Sequence, residues 1–220
     1  MPAPFEILKQ DNAADWQAYV EHRFVWQLAA GTLPEASFQH YLKQDYLFLI
    51  QFARAWGLAV YKSRDLSEIR QGLESLKAIV DIELGLHIGY CAQWGISEAD
   101  LAALSESRAT LAYTRYVLDA GMSGDLLDLH VALAPCIIGY GEIARWIRQQ
   151  PFTRQEGNPY GDWIEMYAGA EYQALVASEL DWLNTRLSRL DAERLKQLSV
   201  VFRDATRLEA DFWQMGLDLA

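Results

Sequence analysis

Five side chains that can do chemistry interrupt runs of apolar residues spaced three and four apart: Asp45, Cys136, Tyr140, Tyr167 and Glu209. A thiol becomes a nucleophile once it ionises. A carboxyl in an apolar seam, such as Glu209, is expected to titrate nearer neutrality than in water, which suits a group that takes and gives protons. Asp45 sits mid-stripe, where a carboxylate must be paired or hydrogen-bonded. Pro135 precedes Cys136. It has no N–H, so the carbonyl of Val131 loses its helical partner and a kink is expected there. Tyr140 follows one turn later on the same face. A second constellation, Glu83 and His87 at i, i+4, reads as a pair that can touch. Each group also has a plainer reading: Cys136 as a small core hydrophobe, Asp45 satisfied by a neighbouring helix, and Glu83–His87 fixing helix register.

These residues need helices to position them. Apolar spacing and Gly/Pro breaks predict helices over 12–29, 35–63, 67–94, 97–105, 109–121, 124–149, 160–188 and 191–217. The inner stripes read Phe38, Leu42, Asp45, Leu49, Phe52, Trp56, Ala59; then Ile69, Leu73, Leu76, Val80, Glu83, His87, Tyr90, Trp94; then Leu129, Leu133, Cys136, Tyr140, Ile143, Ile147. The segment 160–188 offers Tyr160, Ile164, Tyr167, Glu171 and Ala174, and the last helix Leu195, Leu198, Phe202, Ala205, Glu209, Phe212 and Gly216. Mobility is expected over 150–161, the longest loop. Long helices with short connections predict an all-α, single-domain antiparallel bundle over residues 1–220, with its site on facing helices.

Composition bounds the function. A net charge of −11 without a basic stripe opposes binding to nucleic acid or anionic lipid. The opening residues lack a signal peptide, and apolar runs such as Val131 to Pro135 are too short to cross a bilayer, so a cytoplasmic location is expected. Two cysteines and four histidines, without Cys-x-x-Cys, His-x-x-x-His or His-Glu-x-x-His, predict neither a disulfide framework nor a metal site.

Several segments together resemble a known family. They are Gly31-Thr-Leu-Pro34, Phe38-Gln-His-Tyr41-Leu-Lys-Gln-Asp45-Tyr46-Leu-Phe48-Leu, Glu83 spaced to His87, Tyr113-Thr114, Leu133-Ala-Pro-Cys136, Tyr140, Trp163-Ile164 with Tyr167, and Glu209 with Phe212-Trp213. From about His22 to Met215 the chain is similar to TenA, the thiaminase II group of the TenA/THI-4/PqqC superfamily. The resemblance implies a haem-oxygenase-like helical fold, no cofactor and a homotetramer. It also implies hydrolysis of thiamin or of an aminomethyl-pyrimidine breakdown product to hydroxymethyl-pyrimidine. Carried over by position, Cys136 is the nucleophile, Glu209 the acid/base, and Asp45 the ligand of the ring nitrogen and amino group. Tyr113, Tyr140 and Tyr167 line or stack on the ring. Phe48 stands where many members carry tyrosine, which keeps the stacking face and drops a hydroxyl.

Three rival readings compete with this one. A metal-dependent or cofactor-free oxidase on the same scaffold needs inward His and carboxylate ligands, and 160–188 holds no histidine. A regulatory protein would have to act indirectly, given the charge. A non-catalytic pyrimidine-binding module would not depend on Cys136 for activity.

Overall fold

The computed structural model describes residues 2–220. Among them there is no strand, as expected. The helices are α1 (Pro4–Asp11), α2 (Ala13–Val20), α3 (Arg23–Ala30), α4 (Glu35–Lys62), α5 (Leu66–Lys77), α6 (Leu84–Gln93), α7 (Glu98–Ala102), α8 (Arg108–Ser123), α9 (Leu126–Ala134), α10 (Tyr140–Gln149), α11 (Gly161–Ala168), α12 (Ala170–Leu187) and α13 (Ala192–Asp218). Two π-helical turns, Ala78–Glu83 and Pro135–Gly139, join α5 to α6 and α9 to α10. The chain divides into two compact units: the segment through Pro34 with Val131–Gln214, and Glu35–His130 with Met215–Ala220. Two of the crossings between units fall inside helices, α9 and α13.

In the first unit the core is aromatic. Phe5, Tyr19, Phe24, Trp163, Tyr167, Phe202, Phe212 and Trp213 are all fully buried. The expected helix 12–29 is two helices, because His22 caps α3: its Nδ1 accepts from Phe24 N–H at 3.2 Å. A cap satisfies donors that a continuing helix would otherwise pair, so the chain turns there. The helix α1 was not foreseen. It begins at Pro4, pre-set for the first helical position, and anchors itself through buried Phe5 and Leu8 and a hydrogen bond from Phe5 N–H to Asn184 Oδ1 at 2.9 Å. Gly31 ends α3 in the left-handed region at φ +67°, where a side chain is disfavoured.

The 150–161 loop is tied down rather than loose. Arg154 N–H donates to Ala29 O at 3.0 Å, and Asn158 Nδ2 to Leu28 O and Ala29 O at 3.1 and 3.0 Å. The Tyr160 hydroxyl donates to Leu33 O. These donors satisfy carbonyls left open around the end of α3. The expected helix 160–188 breaks at Gly169, whose extended backbone rotates α12 relative to α11. Glu171 and Ala174 are therefore exposed, and Val176 and Glu179 are buried instead.

In the second unit α4 carries the stripe predicted for it, with Phe38, Leu42, Asp45, Leu49, Phe52, Trp56 and Ala59 all buried. It packs against α5, α6 and α8. Asp65 caps α5, accepting from Ser67 and Glu68 N–H at 2.8 and 3.0 Å. The stripe predicted before His87 is out of phase: Leu73 and Val80 are 45% and 49% exposed, and Gly72, Ser75 and Ile79 face inward. A π turn inserts a residue into the helical repeat, so a single unbroken period misassigns one side of it. The expected helix 97–105 is shorter, Glu98–Ala102, and is closed at its start by a Ser97/Asp100 capping box.

The helix expected over 124–149 runs from Leu126 to Gln149, and it corrects the expectation that no apolar segment is long enough to cross a bilayer. By length and composition it could cross a bilayer, yet 83% of its apolar window is buried inside the protein, as in a core helix.

Candidate active site

In the second unit Asp45 is 3% exposed and held through one oxygen. Its Oδ2 accepts from the Tyr41 hydroxyl at 3.0 Å and lies 2.6 Å from His87 Nε2. Tyr41 and Asp45 lie one turn apart on α4, so the helix itself aims the hydroxyl at the carboxylate. The other ring nitrogen, Nδ1, sits 2.8 Å from the backbone carbonyl of Glu83. The expected Glu83–His87 pair is thus made through the main chain of Glu83, and the carboxylate hydrogen-bonded to His87 is that of Asp45. Burial pulls the His87 pKa down, but the charge and hydrogen bond of Asp45, helped by Glu83, leave it above the ordinary value of 6.5.

Phe48 and Tyr113 meet in the same unit, with ring centroids 5.0 Å apart, and Phe52 stacks on Phe48 at 5.4 Å. Tyr113 is positioned by α8, whose start depends on a residue outside every predicted stripe. Buried Gln44 accepts from Ser107 N–H and Thr110 Oγ1, both at 2.8 Å, and donates to Ser105 O at 3.1 Å. A buried amide adjacent in sequence to a stripe position is the signal that could have drawn attention to it.

In the first unit Cys136 lies in the π turn and is 8% exposed. The expected kink at Pro135 takes this form. A π turn widens the backbone ring, which accommodates the missing N–H, and such turns recur at functional sites. Its carbonyls find side-chain donors: the Tyr19 hydroxyl at 3.1 Å from Pro135 O, and the Tyr172 hydroxyl at 3.1 Å from Ile137 O and 3.4 Å from Cys136 O. Gly139 allows this approach, since a Cβ there would fall 2.4 Å from the Tyr19 ring.

One turn on from Cys136, Tyr140 is the hub of an aromatic cluster. Its ring centroid is 5.0 Å from Tyr167, 5.3 Å from Trp213 and 5.8 Å from Trp163. Trp163 and Tyr167 lie 4.6 Å apart. Glu209, on α13 one turn before Trp213, is 1% exposed. The structure therefore gathers Asp45 with Tyr41 and His87, Phe48 with Tyr113, and Tyr140 with Tyr167. It places a thiol and a carboxyl, Cys136 and Glu209, on buried helix faces of the aromatic unit.

The TENA/THI-4/PQQC family matches residues 10–219. A protein of Haemophilus influenzae, described only as uncharacterised, is 46% identical over 98% of this chain and 99% of its own. The aminopyrimidine aminohydrolase of Halalkalibacterium halodurans is 35% identical over 91% of this chain and 89% of its own. A crystal structure from Silicibacter sp. TM1040, described as a TenA family transcription regulator, is 47% identical with a TM-score of 0.90 and coverage of 97% and 96%. The TenA homologue of P. horikoshii, at 23% identity, shares the fold over 100% of both chains with a TM-score of 0.90. That fold is the all-helical, haem-oxygenase-like one expected. With a match across nearly its full length, the chain belongs to the TENA/THI-4/PQQC family.

Proposed function

We propose that this protein is a cysteine-dependent aminopyrimidine aminohydrolase of thiamin salvage. The reading rests on one observation above the rest: a buried cysteine, Cys136, in a proline-initiated π turn with an aromatic cluster one turn away. The 35%-identical aminohydrolase supports the substrate class.

The reaction replaces an amine by water: the aminomethyl-pyrimidine and H₂O give the hydroxymethyl-pyrimidine and NH₃. The Cys136 thiolate adds to a ring carbon, which pushes electrons toward the exocyclic carbon–nitrogen bond. Glu209 gives a proton to the departing amine, so it leaves neutral. It then takes a proton from the water that adds at the exocyclic carbon, and the carbon–sulfur bond breaks to restore the thiolate and the ring. Asp45 accepts from the ring's amino group. Phe48 and the phenols Tyr113, Tyr140 and Tyr167 offer faces to a flat heterocycle. Thiamin itself would lose thiazole instead: the quaternary nitrogen leaves neutral with the bond pair and needs no proton from Glu209, and the proton taken from water passes to solvent. The family resemblance further suggests a homotetramer working in the cytoplasm.

The test is incubation of wild type and Cys136→Ser with 4-amino-5-aminomethyl-2-methylpyrimidine and, separately, with thiamin. Wild type should release hydroxymethyl-pyrimidine with ammonia or thiazole. Cys136→Ser should bind the pyrimidine and release nothing. Undiminished turnover by the serine variant would remove the thiol from the mechanism.

A further inference from the structure

The Asp45–His87 contact constrains proton positions more tightly than a simple pair would. The carbonyl of Glu83 can only accept, so His87 Nδ1, 2.8 Å away, carries a hydrogen. Across the 2.6 Å gap between Nε2 and Asp45 Oδ2, one further proton must lie, or two lone pairs would face each other. The Tyr41 hydroxyl also points at Oδ2. Both partners of the carboxyl thus converge on one oxygen. His87 is fully buried and Asp45 nearly so, so water does not compete for these groups.

We propose that His87 is a positioning residue of the aminopyrimidine site, held as an imidazolium that keeps Asp45 ionised and commits its Oδ2, so that Oδ1 is the acceptor offered to the ligand's amino group. The proposal rests on the reading of Asp45 as the ligand's partner. Without a donor at Nε2, the carboxylate would lose one of the two groups that fix its Oδ2, and with it the orientation that presents Oδ1 to the amino hydrogens, so recognition would weaken. The groups that set the state of His87 come from two elements: Asp45 and, through it, Tyr41 on α4, and Glu83 on the turn before α6. Asp45 and Glu83 favour the charged ring and oppose the effect of burial.

Two measurements on the full chain test this. In protein labelled with ¹⁵N-histidine, the signal abolished by His87→Gln should still show both ring nitrogens protonated at a pH just above 6.5, where an ordinary histidine is already mostly neutral. Asp45→Asn should reduce it to one protonated nitrogen. A ring carrying one proton in wild type would overturn the proposal. The second measurement is calorimetric titration with 4-amino-5-hydroxymethyl-2-methylpyrimidine. His87→Leu, which cannot donate to Oδ2, should bind at least about tenfold more weakly than wild type. His87→Gln, which can still donate to Oδ2 but carries no charge, should fall between wild type and His87→Leu. Equal losses in His87→Leu and His87→Gln would mark a purely structural role and overturn the proposal. If wild type fails to bind the pyrimidine, the functional reading itself falls, while the nitrogen spectrum still decides the charge on His87.

Discussion

At the scale of single residues, the proposed mechanism gives the buried Asp45 and Glu209 separable tasks. Asp45 is pinned by Tyr41 and His87, which suits a group that must hold still. Glu209 lies on an apolar face beside Phe212 and Trp213, where a proton can be exchanged without bulk water. Glu209→Gln keeps shape and hydrogen-bonding capacity but cannot transfer protons. It should lower kcat about 10²- to 10⁴-fold, the usual worth of a general acid/base. Affinity for hydroxymethyl-pyrimidine should change by less than about threefold on the same ground. Steady-state kinetics beside a binding titration would check this, and equal losses in both would argue against proton transfer.

At the scale of elements, two devices hold the site groups, and each has a mutational signature. The π turn at Pro135–Gly139 depends on the close approach of Tyr19 to Gly139. Gly139→Ala would drive a methyl into that ring, and overpacking of this kind costs about 1–3 kcal/mol. Urea denaturation should show that loss, and the Tyr19 hydroxyl should leave the Pro135 carbonyl. The start of α8 depends on Gln44. Gln44→Leu would remove its hydrogen bonds to the exposed Ser105 O, the half-buried Ser107 N–H and the buried Thr110 hydroxyl, each worth about 0.5–1.5 kcal/mol net. The same denaturation experiment should register it, with activity falling further than stability alone predicts because Tyr113 rides on α8.

At the scale of the whole molecule, charge and stability are the relevant quantities. The relative described as a transcription regulator raises the question of nucleic-acid binding. A chain of net charge −11 repels phosphate backbones, so direct DNA contact is opposed by its own field. Folding stability should also carry the mark of His87. Its folded pKa lies above the unfolded value of 6.5, so the folded state binds more protons between the two values. The contribution is fully present below 6.5 and fades as pH rises through the raised folded value. Urea midpoints measured on wild type should therefore fall over that window, and His87→Gln should flatten the slope.

Much of this protein was legible in the residues alone. Helical period and break residues located α4, α8 and α13 to within a few positions, because one-sided burial writes itself into the sequence as a three–four repeat. The motif residues from Asp45 to Glu209 identified the family, since particular side chains at particular spacings survive as text. Tertiary structure decided what period cannot encode. The π turn before His87 moved Leu73 and Val80 to the surface, because an inserted residue shifts phase without leaving a compositional trace. Cap and loop hydrogen bonds, such as His22 on α3 and Asn158 on Leu28 and Ala29, split one expected helix and pinned the expected mobile loop. Above all, spacing along one helix offered Glu83's carboxylate to His87, whereas the fold delivered Asp45 from another. Sequence distance governs contacts within a helix, and only packing chooses the partner across two.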